Sequence, residues 1–196
     1  MFAPGAVCAT LSGGELITVT ILKFYVSNVR LLRQGKVIWS EPRSYHLLDA
    51  EDTATLRLAL QAPKGLRYDE VRYTLGIDSA TNAAGAQGGD LDATRGMYWA
   101  WHSGYINAKI EGTCPALASR SHRFEYHLGG FGTGKNCAVE MKTAARFGQD
   151  VVVQIVLDAF FKEIATAGLP PSIMTPGAPA RQLSVQFSNV FQPVAR

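Results

Sequence analysis

Residues 16–32 read LITVTILKFYVSNVRLL and are rich in β-branched and aromatic side chains. Such side chains favour extended backbone, so this stretch predicts one long strand, bent or bulged near Ser27 and Asn28. A turn at residues 34–36 and the short apolar run VIW at 37–39 predict a returning strand. The two strands are therefore expected to form a hairpin.

Beyond this hairpin, the sequence predicts many further short strands and little helix. The strands are expected at residues 45–49, 55–60, 70–77, 106–111, 122–128, 137–141, 151–157 and 182–191. The segment 137–141 is expected to be the hairpin partner of 122–128, and residues 158–168 predict one short helix. We therefore expect an all-β fold, an antiparallel β-sandwich with one short helix and long loops, as a single domain over residues 1–196.

Composition sets limits on function. Hydrophobic residues make up 47% and charged residues 18% of 196 residues, as in ordinary globular domains. The formal charge of +3 is spread along the chain without a Lys/Arg-rich run, so a nucleic-acid partner is not predicted. Apolar stretches stay shorter than the roughly 18 residues of a membrane-spanning helix. Residues 1–14 lack the features of a signal peptide, which leaves a mature, a trimmed or a cytosolic chain open.

Three cysteines, Cys8, Cys114 and Cys137, are too few for a disulfide scaffold and have no CxxC spacing. Cys114 and Cys137 could pair, which would contribute about 3 kcal/mol by the chain-entropy estimate. Two buried free thiols are the alternative, and the sequence leaves both open.

Residues 78–96, DSATNAAGAQGGDLDATRG, are small, polar and glycine-rich, and predict a long loop. Long loops inside compact domains are often functional. Asp78, Asp90 and Asp92 could bind calcium, although their spacing does not match an EF-hand. A disordered surface excursion is the alternative.

The loop leads into residues 97–105, MYWAWHSGY, which hold two of the three tryptophans. On a regular strand Met97, Trp99 and Trp101 would share one face. So much aromatic surface indicates either a dense core or a ligand platform, and the strand period favours the core.

The histidines are His46, His102, His122 and His127. They form no HxH or HxxxH pair, so no local metal motif exists. His122 and His127 are an odd number of residues apart and should point to opposite faces of a strand. His127 is the better candidate to face inward, and His46 is a second. A single inward histidine is more often a hydrogen-bonded structural residue than a metal ligand.

Several segments together resemble one known family, the MbnP-like proteins. They are LKFYVSNVRLL (22–32), YHLLDAED (45–52), YTLGIDSATNAAGAQGGDLD (73–92), GMYWAWHSGYINAKIEG (96–112), FEYHLGGF (124–131) and FSNVF (187–191). The resemblance extends over residues 16–191 and includes the WxWxxGY and HLGG motifs. MbnP-like proteins are periplasmic copper-binding partners of an MbnH-type di-haem cytochrome c peroxidase.

The resemblance implies a non-enzymatic periplasmic copper protein in which the peroxidase oxidises a tryptophan to kynurenine. Trp101 is the preferred modified residue and Trp99 the other candidate. His46 and His127 match histidines of the family segments and are the preferred copper ligands, with His102 a weaker one. Opening the indole ring frees an amine and a ketone that can coordinate, and imidazole nitrogen suits copper.

A function from another class stays open. The fold could be a non-metal sandwich module that binds a carbohydrate or a protein on Tyr98, Trp99 and Trp101. That reading requires exposed indoles and no dependence on metal.

Overall fold

The computed structural model describes residues 5, 7–10, 14–101, 104–115, 117, 121–167 and 170–194. In this part of the chain the strands are β1 Val7–Thr10, β2 Leu16–Arg33, β3 Lys36–Ser40, β4 Tyr45–Asp49, β5 Glu70–Leu75, β6 Tyr98–Trp99, β7 Gly104–Thr113, β8 Arg123–Gly129, β9 Val139–Ala144, β10 Val153–Ile155, β11 Ser172–Ile173 and β12 Phe191–Pro193. The α-helices are α1 Ser79–Ala83, α2 Leu157–Ala167 and α3 Ala178–Asn189, and short 3-10 helices lie at Thr53–Leu56, Gly89–Leu91 and Ala93–Arg95.

The long strand β2 pairs with five other strands. Along one edge it pairs in turn with β1, β4 and β3, and along the other with β7 and then β5, always antiparallel. The path through the sheet is β11-β8-β7-β2-β5-β9, and β10 pairs separately with β12. Because β2 exchanges β7 for β5 midway, the sheet curls into a half-barrel. The mostly β fold is confirmed, whereas the finer prediction of a sandwich is not.

The predicted irregularity at Ser27 and Asn28 is confirmed. Asn28 has φ 52°, in the left-handed region that asparagine tolerates better than most residues. The register between β2 and β5 shifts between Ser27 and Arg30. Ser27 Oγ donates a 2.6 Å hydrogen bond to the carbonyl of Gly76, and Asn28 N donates to the carbonyl of Ser44 at 3.1 Å. The bulge lies where β2 passes from one neighbour to the next.

The two faces of the sheet support two hydrophobic cores. The larger core packs α2 and α3 against the sheet, with Phe187 5.8 Å from Phe24 and 5.7 Å from Phe160 between ring centroids. The smaller core contains Tyr25, Leu47, Ile77, Leu91, Met97, Trp99, Tyr105 and Ile106. Phe24 and Tyr25 are consecutive in β2 and so point to opposite faces, which lets one strand contribute to both cores.

The prediction of a last strand over residues 182–191 is wrong, because α3 occupies most of that segment. Pro179 lies in the first turn of α3, where proline's missing N–H costs nothing. Ala180, Leu183 and Phe187 are buried at helical spacing against the larger core. The apolar residues therefore follow a period of 3.6, and only Phe191–Pro193 is a strand.

Two shorter predictions also need correction. Residues 55–60 do not form a strand: Asp52 accepts a hydrogen bond from Ala54 N and caps a 3-10 helix, and the residues after it lack ladder pairing. The segment 137–141 was expected to pair with β8, but β9 pairs with β5 instead. That pairing brings together parts of the chain about 70 residues apart, as Tyr73 with Met141, which no local signal specifies.

The other local predictions are confirmed. They are the β2–β3 hairpin, strands β4, β5, β7 and β8, and helix α2, while β10 is shorter than expected. None of the helices in the described residues is long and apolar enough to cross a membrane.

Cys114 and Cys137 are both buried free thiols, so the unpaired alternative is the one found. Cys137 Sγ donates to the carbonyl of Gly129 at 3.1 Å, and burial raises the pKa of its thiol. The side chain of Cys8 lies outside the described residues.

The pairing of β2 with β7 predicts a strict requirement for glycine at position 112. A Cβ atom there would overlap the carbonyl of Thr18 and lie 2.6 Å from the ring of Phe124. The carbonyl cannot move without disturbing the ladder, so we expect Gly112→Ala to lower the free energy of unfolding by about 1–3 kcal/mol or more. Urea denaturation measures the difference.

The matched control is Gly88→Ala, since Gly88 has φ −93° and no atom within 4 Å of its added Cβ. Its stability should change by less than about 0.5 kcal/mol. Equal stabilities for the two variants would contradict the close approach of β7 to β2.

Candidate functional site around the tryptophan pair

The aromatic segment turns out to serve both a core and a surface. Met97 and Trp99 are buried, with Trp99 5% exposed, whereas Trp101 is 64% exposed. The ring centroids of Trp99 and Trp101 are 5.8 Å apart and the planes are tilted by 48°. The expected alternation ends after Trp99 because residues 100 and 101 form a turn. One indole packs inward and its neighbour faces solvent.

Glycines make the room for the buried indole. Trp99 pairs with Gly104 in the short β6–β7 ladder, and a Cβ atom at Gly129 would lie 2.7 Å from Cζ3 of Trp99. The ring of Phe131 covers Gly104, since a Cβ atom added at Gly104 would lie 3.2 Å from that ring. Gly129, the first glycine of the HLGG motif, therefore leaves the space in which Trp99, the first tryptophan of the WxW motif, packs.

Three tyrosines continue the smaller core from this point. The ring of Tyr105 contacts Tyr98 at 5.0 Å and Tyr25 at 5.9 Å between centroids. The hydroxyl of Tyr25 donates to the carbonyl of Asp90, and that of Tyr105 to the carbonyl of Leu91, both at 2.9 Å. Burial raises the pKa of both phenols. The buried hydroxyls are thus satisfied by backbone acceptors.

The loop at residues 78–96 is a built structure of short helical turns. Asp78 accepts from Thr81 N at 2.9 Å and caps α1. Although burial alone would raise the pKa of Asp78, hydrogen bonds from Thr81 and Tyr45 hold it below the ordinary value. Asp92 accepts from the backbone N–H of Thr94 at 2.8 Å.

Asp90, the third carboxylate of the loop, anchors it to the sheet by accepting from Leu47 N at 3.1 Å. The three aspartates proposed as calcium ligands therefore each hold a backbone N–H. Asn82, which sequence reasoning did not single out, completes the attachment. Its side-chain oxygen accepts from Tyr105 N at 2.8 Å and its amide donates to the carbonyl of Ile77 at 3.0 Å.

His127 lies on the face of the sheet that carries the tryptophans. It is two residues before Gly129 on the regular strand β8, so the two positions point the same way, about 7 Å apart. His127 is 6% exposed, and its Nε2 lies 2.7 Å from Oε1 of Glu111. The hydrogen bond occupies Nε2 and leaves Nδ1 as the ring nitrogen that could bind a ligand.

Glu111 is the partner that sequence reasoning missed. It is buried on β7, and Lys109 Nζ approaches the same Oε1 at 3.4 Å. Burial by itself would raise the pKa of Glu111, but the hydrogen bond from His127 and the charge of Lys109 outweigh it and lower the pKa. Glu111 is therefore ionised at neutral pH and orients the His127 ring. The strand period of residues 106–111 was the available signal, but it does not identify the partner across the ladder.

His46 points to the opposite face. The register pairs His46 with Val26, and His127 with Lys109, which in turn pairs with Lys23. Positions 23 and 26 of β2 differ by three residues without a register shift between them, so their side chains lie on opposite faces. The structure does not bring His46 and His127 together.

His46 instead belongs to a small polar network near the bulge. Its Nε2 lies 2.7 Å from Oε2 of Glu41, and Ser44 Oγ donates to the same oxygen at 2.6 Å. Ser44 Oγ in turn accepts from Val29 N at 2.8 Å. The network ties the turn before β4 to β2.

Of the two other histidines, the structure describes only His122. His102 lies outside the described residues. His122 is exposed, as expected, and its Nδ1 lies 3.0 Å from the carbonyl of Leu117.

The described residues fit a copper ion only in part. Among them, no three His, Cys, Asp or Glu side chains are grouped so that they could hold a metal ion. The pair His46 and His127 does not fit one ion, because the two lie on opposite faces. His127 alone does fit, since a metal-binding histidine commonly donates its other ring N–H to a carboxylate, as His127 can to Glu111.

The fold has a solved counterpart. It is similar to MbnP from Methylosinus trichosporium, with a TM-score of 0.57 and 20% sequence identity over 81% of this chain and 72% of that chain. At this identity the likeness concerns the fold. A comparison with curated proteins finds no match.

A family model gives the assignment by sequence. The model described as MbnP matches residues 3–175, which is most of the chain. The match contains the tryptophan pair, Glu111 and His127, and it stops just before α3. The chain belongs to the MbnP family.

Proposed function

We propose that this chain is a periplasmic copper-binding protein in which an MbnH-type di-haem peroxidase oxidises one tryptophan of the pair to kynurenine. Family membership and the motif resemblance support the proposal. The observation that carries it is the contact between exposed Trp101 and buried Trp99, on the same face as His127. In this role the chain is a substrate of its partner and has no catalytic activity of its own.

Trp101 is the modified residue in this proposal. A partner protein must bring its oxidising centre close to the indole, and Trp101 is 64% exposed while Trp99 is 5% exposed. Attack on Trp99 would require removing the ring from its place above Gly129.

The net reaction balances with peroxide as the oxidant. Two molecules of hydrogen peroxide are reduced to water, the C2–C3 bond of the indole breaks, and one oxygen is added to each of these carbons. Hydrolysis then releases C2 as formate and leaves an aryl amine and a ketone. The product supplies two groups that the intact indole does not offer to a metal.

The opened side chain and His127 would hold copper, with Glu111 keeping the imidazole in the required orientation. Bound copper would be the cargo of the protein. His102 stays a candidate ligand by its position in the sequence. His46 is not included, because the network with Glu41 and Ser44 holds it on the other face.

The alternative of a carbohydrate-binding platform receives less support from the geometry. A platform needs several exposed rings, and of the three proposed residues Trp99 is buried and Tyr98 is half-buried. Only Trp101 presents its ring to solvent among these three.

The modification is tested by treating the protein with the di-haem peroxidase and hydrogen peroxide and measuring the intact mass. We expect the mass gain of kynurenine in the wild type and in Trp99→Phe, and the loss of most of it in Trp101→Phe, because Trp101 is the ring that the partner can reach. Trp39→Phe is the matched control, since Trp39 lies on β3, outside the smaller core, and should not change the reaction. A full mass gain in Trp101→Phe would contradict the assignment.

Copper binding is tested by titration of the peroxidase-treated protein. We expect His127→Ala to lose affinity and Glu111→Gln to lose about 10–100-fold, because the glutamine orients the ring less strongly. His46→Ala should keep wild-type affinity and lower the thermal stability instead, since it breaks the contact with Glu41. Unchanged affinity in His127→Ala, with its fold intact by circular dichroism, would refute the ligand assignment.

A further inference from the structure

The tryptophan pair lies in and beside a core that also contains several tyrosine rings. Trp101 contacts Trp99, and Trp99 shares the smaller core with Tyr105 and Tyr25, while Tyr98 contacts Tyr105. The ring centroids are 5.8 Å apart within the tryptophan pair, and 5.0 Å and 5.9 Å apart between the contacting tyrosines, which allows an electron to pass readily within each of these groups. An oxidising equivalent that reaches one ring could therefore move, and its final position decides which residue is modified.

The buried tyrosines are poor final positions for the oxidising equivalent. A phenol gives up an electron readily only when its hydroxyl proton leaves at the same time. The Tyr25 hydroxyl donates to the carbonyl of Asp90 and the Tyr105 hydroxyl to that of Leu91, and backbone carbonyls are too weakly basic to take a proton. The nearby carboxylate of Asp90 is instead held by Leu47 N. Both phenols therefore stay protonated and are difficult to oxidise.

The two indoles differ in how well their surroundings stabilise the oxidised ring. An oxidised indole is a cation, and burial in apolar surroundings disfavours a charged ring. Trp99 is buried among Met97, Ile106 and Leu91, whereas Trp101 is largely in water. Water therefore stabilises the cation of Trp101 better than the apolar core stabilises that of Trp99.

We propose that Trp101 is the sink of this aromatic group, so that an oxidising equivalent on Trp99 is passed to Trp101 and does not enter the buried tyrosines. In this step Trp101 gives one electron to the oxidised Trp99, which returns to its neutral form, and Trp101 becomes the radical cation in its place. Trp99 thereby extends the target area for the oxidant without being consumed. The inference rests on the proposed oxidation of this site and specifies how the oxidation comes to be located on Trp101.

A photochemical oxidant tests the proposal without the peroxidase. Ruthenium(III) tris-bipyridine, produced by light with cobalt(III) pentaammine chloride as the quencher, takes one electron from the protein and becomes ruthenium(II). Peptide mapping by mass spectrometry then locates the modified residues at low conversion. In the wild type we expect modification at Trp101 to exceed that at Trp99 several-fold, with Tyr25 and Tyr105 unmodified.

The decisive variant is Trp101→Phe, in which the sink is removed but the exposed position keeps an aromatic ring. If Trp99 normally passes its charge to Trp101, modification of Trp99 should rise several-fold in this variant. If exposure alone decided the outcome, the yield of modified Trp99 would stay at its wild-type level. Trp39→Phe serves as the control and should leave the Trp99 yield unchanged.

Either of two results would overturn the proposal: an unchanged Trp99 yield in Trp101→Phe, or modified Tyr25 and Tyr105 at a level comparable with Trp101 in the wild type. Because light replaces the peroxidase here, failure of the peroxidase reaction would refute the proposed function and leave this result intact. Because Trp101 is exposed, its replacement is not expected to unfold the protein, which circular dichroism verifies.

Discussion

The backbone hydrogen bonds of β2 are the constraint on which the rest of the structure depends. This strand of 18 residues is paired along both edges with five other strands. A straight strand could not serve β7 and β5 on the same edge without placing them in line, and the bulge at Ser27 and Asn28 supplies the bend between them. The half-barrel, the two cores and the position of the site follow from this one bent strand.

The period of β2 also decides which side chains can act together. Odd-numbered positions near its middle, such as Lys23 and Tyr25, face the smaller core and the tryptophans, while Phe24 and Val26 face α2 and α3. Through the ladders this parity is transmitted to β4 and to β8. It places His46 on the face of Val26 and His127 on the other face, although both histidines were expected to bind the same copper ion.

The sequence was informative where the structure is local. The bulge, the β2–β3 hairpin and α2 follow from side-chain type and period over a few residues. It failed where long-range pairing decides, as when β9 joins β5, and where two periods fit, as in residues 182–191, whose apolar positions suit a helix better once Pro179 begins it. In the candidate site, the sequence singled out the tryptophans and His127 as candidates but not Glu111, because a partner across a ladder has no fixed spacing in the sequence.

The glycines of the site show why the motifs occur together. A strand that carries a buried indole needs an opposing position without a Cβ atom, and Gly129 provides it for Trp99. Placing that glycine two residues after His127 puts the imidazole beside the space left for the indole, on the same face of β8. The turn after Trp99 then directs Trp101 outward, so that one ring is fixed and the next is accessible. A strand that simply continued its alternation would bring both indoles to the same face, and the proposed oxidation would have no reachable ring.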